Sequence, residues 1–401
     1  MISGTCTARF EAVSEAFRTN FEQHGEVGAS VCVTIDGETV VDLWGGTQAT
    51  RDPGTEPEGD PWTADTMVTV FSCTKGAVAL AAHVLADRGE LDLNRLVSDY
   101  WPSFAAGGKA DATVRMLLDH TVGVPSWREK LTNGEVYDFD AMAARCAAEE
   151  AFWQPGTQQG YHMLSFGWLI GEVIRRVSGM SLGAFLREAV AEPAGADFWL
   201  GVPEAELGRV SRVIPFMPDS AHPTAFTHTV RNDRKGVPAL ALLNQGGMNP
   251  NSSRCHTAEI GGGGGVSSAR GLAQLYRRFA TGEAVSGDTL GRMGRVAAAT
   301  ERDAVLGIAT RFGLGFMTTM DNRSRPQGWD RDSCLLGEQA FGHVGAGGSI
   351  GFCDPLERLS VGYVMNRMGS GVLLNERGQG LVDAIYRSLG YQSNQSGAWR
   401  R

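Results

Sequence analysis

Strand-like runs stand at the two ends of this 401-residue chain, and helical periodicity fills the middle. Close to the N-terminus, residues 28–35 and 38–44 read as strands with Asp36-Gly37 between them. That dipeptide signals a hairpin, because a two-residue turn needs positive φ and glycine supplies it without a clash. Near the C-terminus, residues 311–318, 349–353 and 359–366 read as strands and 380–389 as a closing helix. In between, residues 114–120, 139–150, 163–177 and 182–191 read as helices, with Gly179 placed to end one and Ser181 to cap the next. This distribution constrains the topology: one sheet has to draw strands from both termini, and the helices form an insertion. We expect a discontinuous sheet domain over 1–89 and 266–401, a mainly helical domain over 90–265, and a cleft between them.

Smaller features fill in this frame. Phe10, Val13, Phe17 and Phe21 mark an amphipathic helix before the hairpin. Residues 67–71 read as a short strand, 73–87 as an Ala- and Leu-rich helix stopped by Gly89, and 269–281 as another helix. Residues 47–62 carry Pro53, Gly54, Pro57, Gly59 and Pro61 and read as a surface loop, and the tail from 393 to 401 reads as loose.

Composition excludes several functions. Acidic residues outnumber basic ones 45 to 36, a net charge of −9, whereas a nucleic-acid binder needs a basic face. No apolar run is long enough to span a membrane. Arg9, Glu11, Glu15, Arg18 and Glu22 interrupt what would be the apolar core of a secretion signal. Seven cysteines, an odd number without a C-x-x-C pair, point to reduced thiols and a cytoplasmic protein. The eight histidines include no H-x-x-x-H pair, so neither a metal nor another cofactor is expected. Only four basic residues are lysines, Lys75, Lys109, Lys130 and Lys235, and each therefore invites a separate question.

Three motifs could carry chemistry. Ser72-Cys73-Thr74-Lys75 is an S-x-x-K at an expected strand-to-helix junction. Residues three apart share a helix face, so the Lys75 amine can reach the Ser72 hydroxyl. A lysine early on an otherwise apolar helix buries a charge and needs a partner, and a desolvated amine can act as a base. Gly347-Gly348-Ser349-Ile350-Gly351 satisfies G-x-S-x-G, the nucleophile elbow of another hydrolase class. That elbow requires a helix after the serine and a later histidine. Here Phe352-Cys353-Asp354-Pro355 leads toward a strand and no histidine follows His343, so Ser349 reads as a strand-edge or turn serine. The five glycines at 261–265 lack a following Lys-Ser/Thr and read as a flexible loop.

In order and spacing, a longer set of motifs resembles the serine β-lactamase and penicillin-binding-protein superfamily, and within it the class C-like family VIII carboxylesterases. The set runs from Phe71-Ser72-Cys73-Thr74-Lys75-Gly76 and Gly89-Glu90-Leu91-Asp92-Leu93 to Leu117-Leu118-Asp119-His120-Thr121 and Gly123-Val124-Pro125. It continues through Pro155-Gly156, Gly160-Tyr161-His162 and Phe166-Gly167-Trp168 to Phe341-Gly342-His343-Val344-Gly345. The resemblance implies an α/β (α+β), β-lactamase/transpeptidase-like fold: an antiparallel sheet flanked by helices, plus the inserted helical domain. It implies Ser72 as the acylated nucleophile, Lys75 as its proton acceptor or the charge of the network, and Tyr161 as the group that passes a proton to the leaving group. Either Lys75 or Tyr161 could be the base, with Lys75 supplying the cation that a phenol needs for that role at neutral pH. The oxyanion hole would use the N–H groups of Ser72 and Ala346. His343 and Gly345 would contact substrate.

Two departures shift the expected substrate. The tyrosine motif reads Tyr161-His162-Met163, without the asparagine that binds a β-lactam amide, and the strand motif reads His343-Val344-Gly345, with a titratable imidazole in place of a lysine. Both favour a short-chain acyl ester, a small-molecule substrate, over a β-lactam. Other enzymes on the same apparatus would be a weak β-lactamase, a D-peptidase or amidase, or an acyltransferase. A binding or sensing protein on this fold would leave Ser72, Lys75 and Tyr161 unexplained.

Overall fold

In the computed structural model, which describes residues 2–49, 59–217, 225–324 and 332–401, one six-stranded antiparallel sheet takes strands from both ends of the chain. These are β1 (Ile2–Cys6), β2 (Gly28–Ile35), β3 (Glu38–Gly46), β4 (Phe341–Val344), β5 (Ile350–Asp354) and β6 (Leu359–Met365), in the spatial order β1-β3-β2-β6-β5-β4. The hairpin turns at Asp36 and Gly37, both at positive φ (52° and 84°). The two ends of the chain meet where β2 pairs with β6, Val33 opposite Val361.

Five helices position the site: α1 (Glu11–Gln23), α2 (Cys73–Asp87), α3 (Ser165–Ser178), α4 (Ala269–Ala280) and α5 (Glu376–Ser388). Strand β2 is buried on both faces, and its alternation sorts the two layers. Ala29, Val31 and Val33 belong to the core of α1 and α5, with Val13, Phe17, Leu381 and Ile385. Cys32 belongs to the other core, with Leu272 and Ala273 of α4. On that side Thr34 and Ser360 share a hydrogen bond of 2.7 Å, and Ser360 donates onward to the Ala273 carbonyl. Helix α4 lies so close to β6 that a Cβ at Gly362 would stand 2.2 Å from the Ala269 carbonyl oxygen.

Helix α2 packs against both β4 and α3, and so joins the sheet to the helical layer. A small second sheet holds the chain just before α2: Met67–Thr69 pairs with Val266–Ser267 and Val210–Ser211, and Phe198–Trp199 completes it.

Some expectations need correction. Strand β1 is additional; its Ser, Gly and Thr give no apolar alternation, because it is an edge strand with its middle exposed. Residues 311–318 are not one strand. Only Thr310–Phe312 is extended, and the chain doubles back through Gly315 at φ 89° so that Met317 bridges Phe312. Helix 182–191 continues through a π-turn at Arg187–Ala191 as far as Ala194. The middle of the chain holds longer loops than expected, among them 119–134 and 149–164, apart from one short turn of helix at the end of the first. The tail is not loose, since Trp399 is buried and Ser393 bridges Arg400. Of the loop at 47–62, residues 50–58 lie outside the described residues.

Candidate active site

Phe71 adopts φ 46°, a left-handed conformation that costs a bulky residue about 1–3 kcal/mol. That turn carries the chain from Met67–Thr69 into α2 and leaves Ser72 at the helix N-cap. An N-cap serine usually spends its oxygen on the helix's own N–H groups. Ser72 makes no such bond. Its Oγ instead lies 3.0 Å from Lys75 Nζ.

Lys75 is fully buried, and its Nζ is 2.6 Å from the carbonyl oxygens of both Met163 and Gly262. Carbonyls only accept, so they take two N–H donors. A neutral amine has two N–H bonds and one lone pair, and the lone pair is then left facing the Ser72 hydroxyl. Burial pushes the amine well below the usual lysine range, opposed only by the Cys73 thiol. The hydroxyl is the one partner that can either accept from the ammonium or donate to the neutral amine.

The five glycines explain how Gly262 reaches Lys75. They form a buried, packed segment and not the flexible loop expected. A Cβ at Gly262 would lie 2.3 Å from the Leu164 carbonyl oxygen, so a side chain there would push the segment off α3.

Tyr161 is buried, with its ring 4.8 Å from Lys75 Nζ and stacked on Phe312 at 5.8 Å. Burial pushes its phenol above the ordinary range, opposed by the neighbouring Ser72 hydroxyl. Burial thus opposes charge on both groups, lowering the Lys75 amine and raising the Tyr161 phenol.

Asp303, which the sequence did not single out, sets the height of Tyr161. Its buried Oδ1 accepts the N–H groups of Tyr161 (3.0 Å), Val305 (2.9 Å) and Leu306 (2.9 Å). One carboxylate thus ties the tyrosine to a wall of the cavity, 142 residues away in sequence.

The strand motif runs from the end of β4 into the turn that follows it. Val344 and Ala346 line a cavity of about 450 Å³ with Ser72 and Tyr161, whereas His343 and Gly345 do not line it. The lining therefore gives no support to their expected role as substrate contacts. His343 is buried, Nδ1 lies 2.8 Å from its neighbour's carbonyl at Val344, and burial with the nearby Lys75 pushes the imidazole down to about 3. It is not a titrating cation near neutrality. A Cβ at Gly345 would stand 2.3 Å from the Val70 carbonyl oxygen, so that glycine serves the close packing of β4 on the start of α2. Among the described residues, neither the Ser72 nor the Ala346 N–H has a backbone acceptor, and both residues line the cavity.

Of Tyr161-His162-Met163, the histidine is fully occupied elsewhere: Nδ1 lies 2.7 Å from the Gly160 carbonyl and Nε2 accepts the Val124 N–H at 3.0 Å. Met163 lines the cavity. Ser349 does not line it and precedes β5 instead of a helix, as its reading as a decoy requires. No Lys, Arg, Asp, Glu or His is among the described residues of the cavity wall, which includes Phe71, Leu164, Phe226, Met248, Leu306 and Met368. The described residues contain no cluster of metal-ligating side chains.

The beta-lactamase family profile matches residues 13–384. The esterase/beta-lactamase LipL of Mycobacterium tuberculosis (strain ATCC 25618 / H37Rv) is 33% identical over 398 residues, covering 94% of this chain and 85% of LipL. The crystal structure of a family VIII carboxylesterase superposes with a TM-score of 0.83 at 36% identity, over 97% of this chain and 100% of that one. A penicillin-binding protein homolog from Caulobacter crescentus superposes with a TM-score of 0.82 at 32% identity, over 97% and 100% of the two chains. The sheet of both termini, the inserted helices and the S-x-x-K serine at the start of α2 have one common explanation: the chain belongs to the beta-lactamase family.

Proposed function

We propose that this protein is a serine carboxylesterase that cleaves short-chain acyl esters through an acyl-enzyme on Ser72. The observation that carries the reading is the contact set of Lys75, two carbonyls and the Ser72 hydroxyl at 3.0 Å; burial favours the neutral amine, whose lone pair would then face that hydroxyl. Lys75 takes the hydroxyl proton as Oγ bonds to the ester carbonyl carbon. The oxyanion forms against the N–H groups of Ser72 and Ala346. Tyr161 gives its phenolic proton to the leaving alkoxide and regains one from Lys75. Water then attacks the acyl-enzyme, the acid leaves, and Ser72 recovers its proton.

The substrate class follows from the wall. A β-lactam carries a carboxylate, and the described lining offers it no cation. Met163 stands at the motif position of the family's asparagine and has no amide to offer, and His343 does not line the cavity. An uncharged ester meets none of these obstacles. The same reading divides the chain into 1–89 with 266–401, supplying Ser72, Lys75 and Ala346, and 90–265, supplying Tyr161 and the carbonyls that hold Lys75. Seven unpaired cysteines, most of them buried, are compatible with a reducing, cytoplasmic setting.

The test compares p-nitrophenyl butyrate with nitrocefin for the wild type and Ser72→Ala. Ester turnover that disappears in Ser72→Ala, beside little nitrocefin cleavage, is the expected result. Nitrocefin turnover matching that of the ester would move the assignment to a β-lactamase. Product transferred to an added alcohol instead of water would move it to an acyltransferase.

A further inference from the structure

We propose that Asn375 is a positioning residue for the oxyanion hole, clamping the turn that presents the Ala346 N–H; this rests on the Ser72 acyl-enzyme reading above. The turn from Gly345 to Ser349 closes with Gly345 N–H donating to Ser349 O (2.7 Å) and Gly348 N–H to Gly345 O (3.0 Å). Its middle is Gly347-Gly348, at φ 89° and 109°. Consecutive glycines in this region have many accessible conformations, so the turn does not hold its own shape. An oxyanion donor nevertheless has to stand within about 2.7–3.1 Å of the developing charge. Something outside the turn has to fix it.

Asn375 is the N-cap of α5, far from Ser72 in sequence. Its Oδ1 accepts the N–H groups of Arg377 (3.2 Å) and Gly378 (3.3 Å), which settles the orientation of the amide. Nδ2 therefore faces the other way, and donates to the Gly347 carbonyl at 2.8 Å. The same carbonyl accepts a second bond, from the Gly369 N–H at 2.9 Å. The fit leaves no slack. A Cβ at Gly348 would stand 2.4 Å from Asn375 Nδ2, and one at Gly369 2.2 Å from it.

The clamp is itself anchored. Arg377, two residues along, is buried with Glu26 at 2.6 Å and donates to the Arg367 carbonyl at 2.7 Å. The start of α5 is thereby tied to the loop after α1 and to the chain following β6. One amide transmits that rigidity to the turn beside Ser72.

The cap and the clamp use different atoms, so they can be separated. Asn375→Ser and Asn375→Asp keep an oxygen for the helix N–H groups but lose the donor to Gly347; serine and aspartate cap as well as asparagine to within a few tenths of a kcal/mol. Asn375→Ala loses both. The readouts are melting temperature, kcat and KM for p-nitrophenyl butyrate, and affinity for butylboronic acid, a tetrahedral mimic bound through Ser72. For Asn375→Ser we expect a melting temperature within ~2–4 °C of wild type. We expect kcat to fall about 10–100-fold, a part of the 10²–10³ lost with an oxyanion donor, with KM little changed and boronate affinity falling in proportion to kcat. Unchanged kcat and boronate affinity in Asn375→Ser and Asn375→Asp, beside an inactive Ser72→Ala, would overturn the clamp alone. Loss of activity that follows melting temperature across the three variants, with boronate affinity intact, would also overturn it by reducing Asn375 to a helix cap. Activity surviving in Ser72→Ala would overturn the acyl-enzyme reading, and the clamp with it.

Discussion

Two lysines in this protein are almost completely buried, and only one of them is built for chemistry. Lys75 Nζ meets two carbonyls and a hydroxyl. Lys109 Nζ meets three carbonyls, those of Ala106 (2.7 Å), Ala147 (3.1 Å) and Glu149. Three acceptors need three N–H donors, which only the ammonium form has. Lys109 therefore holds a loop together through three donors, with Cys146, Glu149 and Glu150 countering part of the effect of burial on its amine. Lys75 needs only two donors, and no carboxylate supports its charge. Burial pulls both amines down; the chemistry of the third partner decides which one becomes a base.

The sharpest test of this contrast exchanges each lysine for methionine. Lys75→Met should reduce ester turnover by about 10³–10⁵-fold, the scale on which removing one member of a cooperating catalytic set acts. It should lower the melting temperature less than Lys109→Met does, because two carbonyls and not three lose their donor while a costly buried amine is removed. Lys109→Met should reverse the balance. Three carbonyls lose their donor at about 1–3 kcal/mol each where they stay dry, so the melting temperature falls while turnover well below it stays within a few-fold. Equal losses of activity in the two variants would break the comparison.

Tyr161→Phe removes the proton donor but not the base, and should cost about 10²–10³-fold in kcat with stability close to wild type. The pH profile separates the lysines in another way. Esterase activity should rise with pH as Lys75 loses its proton and reach its plateau below the usual lysine range. Stability should follow in the same direction. Between the lowered folded pKa and the ordinary value near 10.5, the unfolded chain binds the proton and the folded one does not, so stability rises with pH across that window. Denaturant titrations at several pH values should show that slope in the wild type and a weaker one in Lys75→Met.

The smallest effects belong to the residues that resemble a site without lining it. Ser349→Ala should change turnover by no more than a few-fold. His343→Gln should leave the profile between pH 5 and 8 without a new or missing inflection, because the imidazole, pushed down to about 3, stays neutral there. A lost inflection near the ordinary histidine value would show that His343 titrates within the site.

What the sequence made legible was mostly local. Asp36-Gly37 placed the hairpin, and the i, i+3 step placed Lys75 beside Ser72. The role of the strand motif was half legible: its residues were visible, but not that the strand ends at Val344 and a turn brings Ala346 to the cavity while His343 and Gly345 stay off it. Contacts between distant segments were not legible. Nothing local connects Asp303 with the N–H of Tyr161, or Asn375 with the carbonyl of Gly347. The glycines at 261–265 show the same limit. Glycine fits either a free loop or a segment that its neighbours leave no room for, and only Leu164 and α3 reveal the second.

The most direct measurement is acid-quenched mass spectrometry of the protein during turnover of p-nitrophenyl butyrate, followed by peptide mapping. The account predicts a mass gain of one butyryl group on the peptide that contains Ser72, absent from Ser72→Ala and present in Ser349→Ala. Acylation of Ser349, or full ester turnover with no adduct on Ser72 in any quench, would contradict it.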